Sequence, residues 1–409
     1  MISSALGGGV LSLSYVFVLS GWVIGLILLG LGCMAGIWSN LIIAKIAIKH
    51  NLKNLDEMAF RAGGNFLRKF LQIMMVVYAT GSCTGYQIFL GNLLTYVFEQ
   101  LLPDDKSDFL HSFEFRLMVN VPIAGVILLP LSLKRDMSAL AFAGVLSVAS
   151  LTYTLLVLVV ETPFYWREYR NAPATVVKAF ALDWNFLTSF SLVVFAYTCQ
   201  MALMPVYSEL VKPNYQRISK IVYRALFVDA IFYFTIACAG YFSMFNFTSD
   251  VVIERPALAG FDPDYCSLIA AVAICVVLFA AFPSNYNPCR NQFFLLVFKE
   301  AEFSNKANFV VTLCFIIVTC SVAVFYPNVS AVLSILGGLC SVSICYTVPL
   351  FAWVKLSDKP WHAWDNLAPL LFFVPLICLG YASVGSTVYL IASREKFIGD
   401  RPDIHSFDS

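Results

Sequence analysis

The sequence predicts an all-α polytopic membrane protein, on three observations. Of 409 residues, 60% are hydrophobic and 12% charged, with mean hydropathy +0.79; soluble domains carry about 25% charged residues. Apolar runs near 20 residues recur from end to end, and about 20 residues cross a hydrocarbon core of about 30 Å at 1.5 Å rise. Lys and Arg gather in alternate loops. Little is left for a soluble domain, and a net charge of +1 speaks against a nucleic-acid surface.

Eleven spans follow in order. The first, 2–19, contains Gly7-Gly8-Gly9. Each glycine costs about 1 kcal/mol against Ala in a helix interior, but lets the backbone unwind and present its N–H groups. The first span lacks a charged n-region and an A-x-A site, so it reads as a retained span and not a signal peptide. The second is 23–47. The third, 67–98, exceeds what the bilayer needs and is expected to tilt or project; it carries Gly81-Ser82-Cys83-Thr84-Gly85-Tyr86. The fourth and fifth, 116–133 and 137–160, flank Lys134-Arg135. The sixth, 186–208, is interrupted by the polar patch Tyr197-Thr198-Cys199-Gln200, with Pro205 after it. The seventh, 220–245, contains Asp229, and the eighth, 266–289, Pro283 and Pro288. The last three are 308–326, 329–354 and 367–392. Proline inside a span frees carbonyls that must face protein or a cavity. Trp184, Trp361 and Trp364 sit at span ends as interfacial anchors.

With a cytoplasmic N-terminus, 17 of the 26 Lys and Arg residues fall on the inner side, as the positive-inside rule asks. The C-terminus is then outside. The outer loops are acidic, at Pro103-Asp104-Asp105 and Phe261-Asp262-Pro263-Asp264. Two N-x-S/T sequons, at Asn246 and Asn328, fall on that outer side; Asn246 is the glycosylation candidate, since Asn328 lies too near the bilayer. The outside is either the cell exterior or the lumen of a lysosome- or vacuole-type organelle. The 12 cysteines, among them Cys238, Cys275, Cys314 and Cys345, lie mostly in apolar runs, as small apolar residues do. With no CxxC or His/Cys ligand spacing, no metal and no cofactor are expected.

Four segments carry a family resemblance: Gly7–Phe17 (GGGVLSLSYVF), Leu129–Leu133 with the span after it (LPLSLKRDMSALAFAGVLS), Phe195–Leu210 (FAYTCQMALMPVYSEL) and Phe282–Arg290 (FPSNYNPCR). In this order and spacing the chain resembles the amino acid/auxin permease family. That family includes plant and trypanosomatid amino acid permeases and animal sodium-coupled neutral amino acid transporters. The resemblance implies a LeuT-type fold: a 5+5 inverted repeat of spans plus an eleventh helix. It implies secondary transport of an amino acid, and no enzyme chemistry.

The residues read alone agree. Both the first and the sixth span carry an interruption, and broken helices near the bilayer midplane are where transporters bind. The half-helix beginning at Val10 offers N–H groups and a positive dipole end for a carboxylate, and the carbonyls near Tyr197–Gln200 suit an ammonium. Gly7, Gly8 and Gly9 serve either this purpose or close helix packing. Tyr86, Phe195, Tyr197, Cys199 and Gln200 complete the candidate pocket, each alternatively a packing residue.

Departures from the family bear on coupling. Gln200 stands where many members have a histidine, and cannot carry a proton. Ser3 stands where sodium-coupled members have an asparagine, and Phe279, Ala280 and Ala281 stand near their eighth-span hydroxyl. Sodium coupling is thereby disfavoured, and proton coupling or uncoupled exchange expected. Asp229, about 13 Å into its span by helical rise, is a candidate for a coupling proton, a cationic substrate or a structural partner, since ionisable residues in spans mark function. Glu209 is expected to act at an inner gate with Arg290 or Lys212. All four histidines lie outside the spans, which sets aside a histidine relay. Only six residues precede Gly7, so the inner half of the first span is expected to be short. This keeps a rival open: a sensor or scaffold of the same family that does not transport.

Overall fold

The computed structural model describes residues 7–102, 107–110, 112–134, 140–172, 175–210, 214–258, 263–298 and 304–393. Every regular element among them is helical. Ser3, Lys212, Pro103-Asp104-Asp105, Phe261-Asp262 and the tail beyond 393 lie outside the described residues. Ten helices are long and apolar enough to cross a membrane. They are α2 (Trp22–His50), α3 (Leu55–Leu101), α4 (Phe113–Leu133), α5 (Leu140–Tyr169), α6 (Trp184–Glu209), α7 (Tyr215–Phe247), α8 (Tyr265–Val297), α9 (Asn305–Phe325), α10 (Val329–Lys355) and α11 (Trp364–Ala392). Before them lies the described part of the span expected at 2–19, which begins at Gly7. A 3-10 turn of five residues, Gly8–Ser12, runs into α1, Leu13–Ser20, of eight. Eleven full-length spans are therefore not found among the described residues.

Hydropathy does not separate inner from outer helices, because lipid covers an apolar face as well as protein does: α8 has mean hydropathy 2.6 and is 50% buried, while α6 has 1.6 and is 78% buried. Burial makes the separation. Residues 9–20 are buried throughout, and 78% of the apolar window of α6 and of α10 is buried, against 28% for α4, α5 and α11. So α1, α6 and α10 form the interior, and α4, α5 and α11 the lipid-facing periphery. Close crossings hold the interior together. The Ser14 hydroxyl donates to the Ile236 carbonyl at 2.9 Å, and a Cβ on Gly240 would sit 2.0 Å from Ser14 Oγ.

Helix starts follow local capping chemistry. Ser112, Asn214, Asp264, Ser304 and Asn328 each accept from backbone N–H groups of the first turn, satisfying donors with no intrahelical partner. Asn328 of the second sequon is thus a helix cap. The long third span is broken: Gly63 (φ −137°) and Gly64 (φ 64°) are non-helical, and the left-handed φ of Gly64 suits glycine. The hinge separates a short helix at 55–62 from the span proper. Span α10 widens into π-turns at Gly337–Ser341 and Ser343–Thr347, a distortion that often accompanies functional sites.

Candidate functional site

The start of the first helix is a meeting point of four others. Gly7 is extended (φ −97°, ψ −167°), and Val10 N–H donates back to its carbonyl at 3.2 Å. The N–H groups that open such a helix have no intrahelical acceptor. A Cβ on Gly7 would lie 3.6 Å from the Tyr86 hydroxyl, and one on Gly9 would lie 2.9 Å from Phe195 Cδ1. At Gly9 the backbone runs against an aromatic ring closer than a Cβ would fit, while at Gly7 a Cβ would make ordinary contact with the Tyr86 hydroxyl. The Tyr86 hydroxyl accepts from Asn285 Nδ2 at 3.2 Å, so α8 joins the cluster. Phe195 also packs on Tyr78, with ring centroids 5.7 Å apart, and lies over Gly337 in the π-turn of α10.

Gly7, Gly9, Tyr86 and Phe195 are thus brought together. Sequence reading passed over Asn285, Tyr78 and Gly337. Asn285 lay inside a quoted segment, and Tyr78 precedes Tyr86 by eight residues, which places the two on one helix face.

The sixth helix breaks as its polar patch predicts. It has two halves, Trp184–Ala196 and Gln200–Glu209, separated by Tyr197, Thr198 and Cys199. Its side chains turn largely to their own break and to α2, α7 and α10. Gln200 Oε1 accepts from Cys199 N–H at 2.9 Å and from the Cys345 thiol at 2.9 Å. Thr198 Oγ1 donates to Val194 O at 2.9 Å. The Tyr233 hydroxyl takes the Ala196 carbonyl at 2.7 Å. Tyr197 stacks edge-on with Tyr233, centroids 4.8 Å apart, and fits against Gly32 and Gly36 of α2. Asn40 Nδ2 reaches Cys199 Sγ at 3.5 Å.

Behind this break stands Asp229, 1% exposed. Neither of its carboxylate oxygens has a hydrogen-bond partner among the described residues. It lies within electrostatic reach of Cys33, Tyr197, Cys199 and Tyr233. Arg224, its neighbour in sequence, is exposed and forms no salt bridge with it.

Glu209 is exposed at the end of α6. Arg290 is buried elsewhere: its Nη1 donates to Ser132 O at 2.9 Å and Asn308 Oδ1 at 3.0 Å, and Asn308 Nδ2 donates to Leu133 O at 3.3 Å. A cation at the carbonyl end of α4 is favoured by the helix dipole, and here two of the family-like segments interlock. Asn246 sits in a packed turn, its Oδ1 accepting from Val176 N–H at 2.9 Å. Near it, the 248–258 loop dips into the protein. Val252 N–H donates to Leu11 O at 3.0 Å, and Arg255 pairs with Glu161 at 2.9 Å while its guanidinium covers the Tyr165 ring. This buried ion pair spans 94 residues of sequence, which no local pattern signals. Among the described residues no group of His, Cys, Asp and Glu has the arrangement of a metal site.

Helices interrupted where their backbones approach ligand-sized side chains, inside a ring of peripheral spans, define a class of membrane transporter. The fold is that of the LeuT type: the crystal structure of MhsT in complex with L-phenylalanine superposes with a TM-score of 0.55 over 96% of each chain, at 15% identity. The chain belongs to the transmembrane amino acid transporter protein family, whose profile matches residues 1–392. It is similar to the putative sodium-coupled neutral amino acid transporter 11 of Danio rerio, 24% identical over 91% of this chain and 81% of that one. It also resembles the sodium-coupled neutral amino acid transporter 7 of Danio rerio, 22% identical over 95% and 84%. The putative amino acid transporter AAT1 of Toxoplasma gondii is 29% identical over 59% of this chain, and the match spans 32% of that longer protein. The protein is a multi-pass integral membrane protein of a transporter family, not an enzyme.

Proposed function

We propose that this protein is a secondary active amino acid transporter working by alternating access. The substrate carboxylate binds the opening N–H groups of the first helix at Gly8 and Gly9. Tyr86 stands beside it, and Phe195 bounds the side-chain pocket. Tyr197, Cys199 and Gln200 form the far wall, with the carbonyls of the α6 gap facing the ammonium. The observation that carries the reading is the approach of Tyr86 and Phe195 to Gly7 and Gly9, at a helix start whose dipole favours an anion.

Coupling is to a proton, or absent. Phe279, Ala280 and Ala281 bring no side-chain oxygen to α8, and the Ala280 and Ala281 carbonyls already accept from Ser284 and Asn285. Asp229 is the proton-carrying group, beside the α6 break. Glu209 and Arg290 act at the inner end, Glu209 as a gate contact and Arg290 as the clasp between α4 and α9. The N-terminus is cytoplasmic. Uptake of radiolabelled amino acids into proteoliposomes, with and without an inward pH gradient, tests the proposal. Correctly inserted protein that takes up or exchanges no amino acid refutes it; ligand-dependent thermal stabilisation without uptake identifies a sensor instead.

A further inference from the structure

We propose that the end of α2, together with the end of α10, holds the phosphate of an anionic phospholipid headgroup. The site is independent of the transport reading and of the residues assigned to it. A cavity of about 250 Å³ opens between these helix ends, lined by Lys45, Lys49, His50, Trp353 and Ser357 among others. That is below the roughly 300–1,000 Å³ of a site for a whole drug-sized ligand, and matches a headgroup with its acyl chains left outside.

The side chains of the lining are basic, and they must outweigh the negative dipole ends of two helix C-termini, whose carbonyls at Leu356 and His50 accept from Lys49 and Arg61. Lys45 Nζ lies 5.4 Å from the Tyr215 ring centre and 5.7 Å from that of Trp353. Two aromatic faces hold this ammonium, and it makes no salt bridge among the described residues. Lys49 pairs with Asp358 at 2.6 Å, but both are exposed, and an exposed pair is weak enough to exchange. Lys49 holds the Asp358 carboxyl below the usual carboxylate range, chiefly by hydrogen bonding. The other nearby acid, Asp365, is bonded to Lys359. His50 Nε2 is buried at the cavity wall with no hydrogen-bond partner among the described residues. Arg61 donates to the His50 carbonyl at 3.1 Å, adding a further cation to the rim. Asp358 and Asp365 each have a lysine partner, Glu57 accepts from Lys53 N–H at 2.9 Å and Asp56 from Gln72 and Gln292, so Lys45 and Arg61 are in no salt bridge among the described residues.

The cavity also lies at headgroup depth. Trp353 Nε1 donates to the Asp365 carbonyl at 3.2 Å. That residue follows Trp364, 73% exposed, and Trp361 nearby is 66% exposed. Exposed tryptophans at helix ends mark the membrane interface, and basic pockets between helices there take lipid phosphates.

The test uses the delipidated full chain in neutral detergent. Native mass spectrometry follows titration with phosphatidylglycerol, phosphatidylcholine and inorganic phosphate. Phosphatidylglycerol is expected to bind at least tenfold tighter than phosphatidylcholine. Each lysine near a membrane surface is worth about fivefold, so K45Q/K49Q should weaken phosphatidylglycerol binding tenfold or more. K45R/K49R should restore it, and K220Q/K306Q, exposed lysines elsewhere, should leave it within twofold. Unchanged melting in phosphatidylcholine establishes that the variants fold; a variant that melts early is replaced by K45Q alone, expected to lose about fivefold. Equal losses in the pocket and control variants overturn the site. Millimolar inorganic phosphate that fills the site as well as the lipid does overturns the lipid as its occupant.

Discussion

Two of the inner helices are interrupted, at Gly7–Gly9 and at Tyr197–Cys199, and the two interruptions are alternative answers to one problem. Each leaves backbone polar groups inside a membrane protein, where an unpaired group is costly. The first has no polar side chains of its own in the glycine triplet; its surroundings come from α3, α6 and α8. The sixth carries its own polar side chains and spends them on itself: Gln200 on Cys199 N–H, Thr198 on Val194 O, with Tyr233 covering Ala196 O. The first break has no side-chain partner of its own, while the other is largely closed by local bonds. A polar patch in a span is therefore a ligand set only after its own backbone has been satisfied.

The sharpest way to break this contrast is to fill the open end. Gly9→Leu would drive a side chain into Phe195, whose ring lies 2.9 Å from the Cβ position. Amino acid uptake into proteoliposomes should fall at least 100-fold, with insertion unchanged by size-exclusion chromatography. Phe195→Ala in the same chain, by making room, should recover part of it. Full uptake by Gly9→Leu alone would remove α1 from the site. A smaller loss is expected behind the closed break. Asp229→Asn keeps the shape of a buried side chain that has no hydrogen-bond partner among the described residues, and removes its charge. The stimulation of uptake by an inward pH gradient should drop about tenfold, and exchange at equal pH should stay within about twofold. A pH response that survives would assign coupling elsewhere.

How much of this was legible follows from range in sequence. The helices from α2 to α11 were readable because length and apolarity are local. The break in α6 was readable because polar residues interrupt an apolar run. The hinge at Gly63-Gly64 was missed because it lies before the apolar stretch, where nothing set a span boundary. The first span was expected at 2–19 with an interruption at Gly7–Gly9, and among the described residues its helix begins at Gly8. Asn285 on Tyr86, Arg255 on Glu161 and Arg290 on Ser132 join residues 94 to 199 apart; such pairs depend on packing that no window contains. The orientation of Gln200 was only partly readable: its bond from Cys199 N–H is local, but that from the Cys345 thiol comes from 145 residues away.

That orientation gives a finer test. Gln200→Leu leaves the buried Cys199 N–H unpaired, at a cost of about 1–3 kcal/mol. The expected result is a lower melting temperature in detergent with KM for the amino acid changed less than about twofold. A large rise in KM with unchanged melting would instead make Gln200 a direct ligand, and the two breaks would be alike.

The smallest effect is expected at the open end. Tyr86→Phe removes only the hydroxyl that lies near Gly7 and accepts from Asn285. The ring remains, so packing is kept. One neutral hydrogen bond is worth about 1 kcal/mol, so KM should rise about fivefold. Melting without substrate should move little, because Asn285 still donates to the Ala281 carbonyl at 3.2 Å. Stabilisation by added substrate should shrink in the same proportion as affinity. If KM holds and only melting falls, the hydroxyl serves the contact between α3 and α8, and the open end is lined by backbone alone.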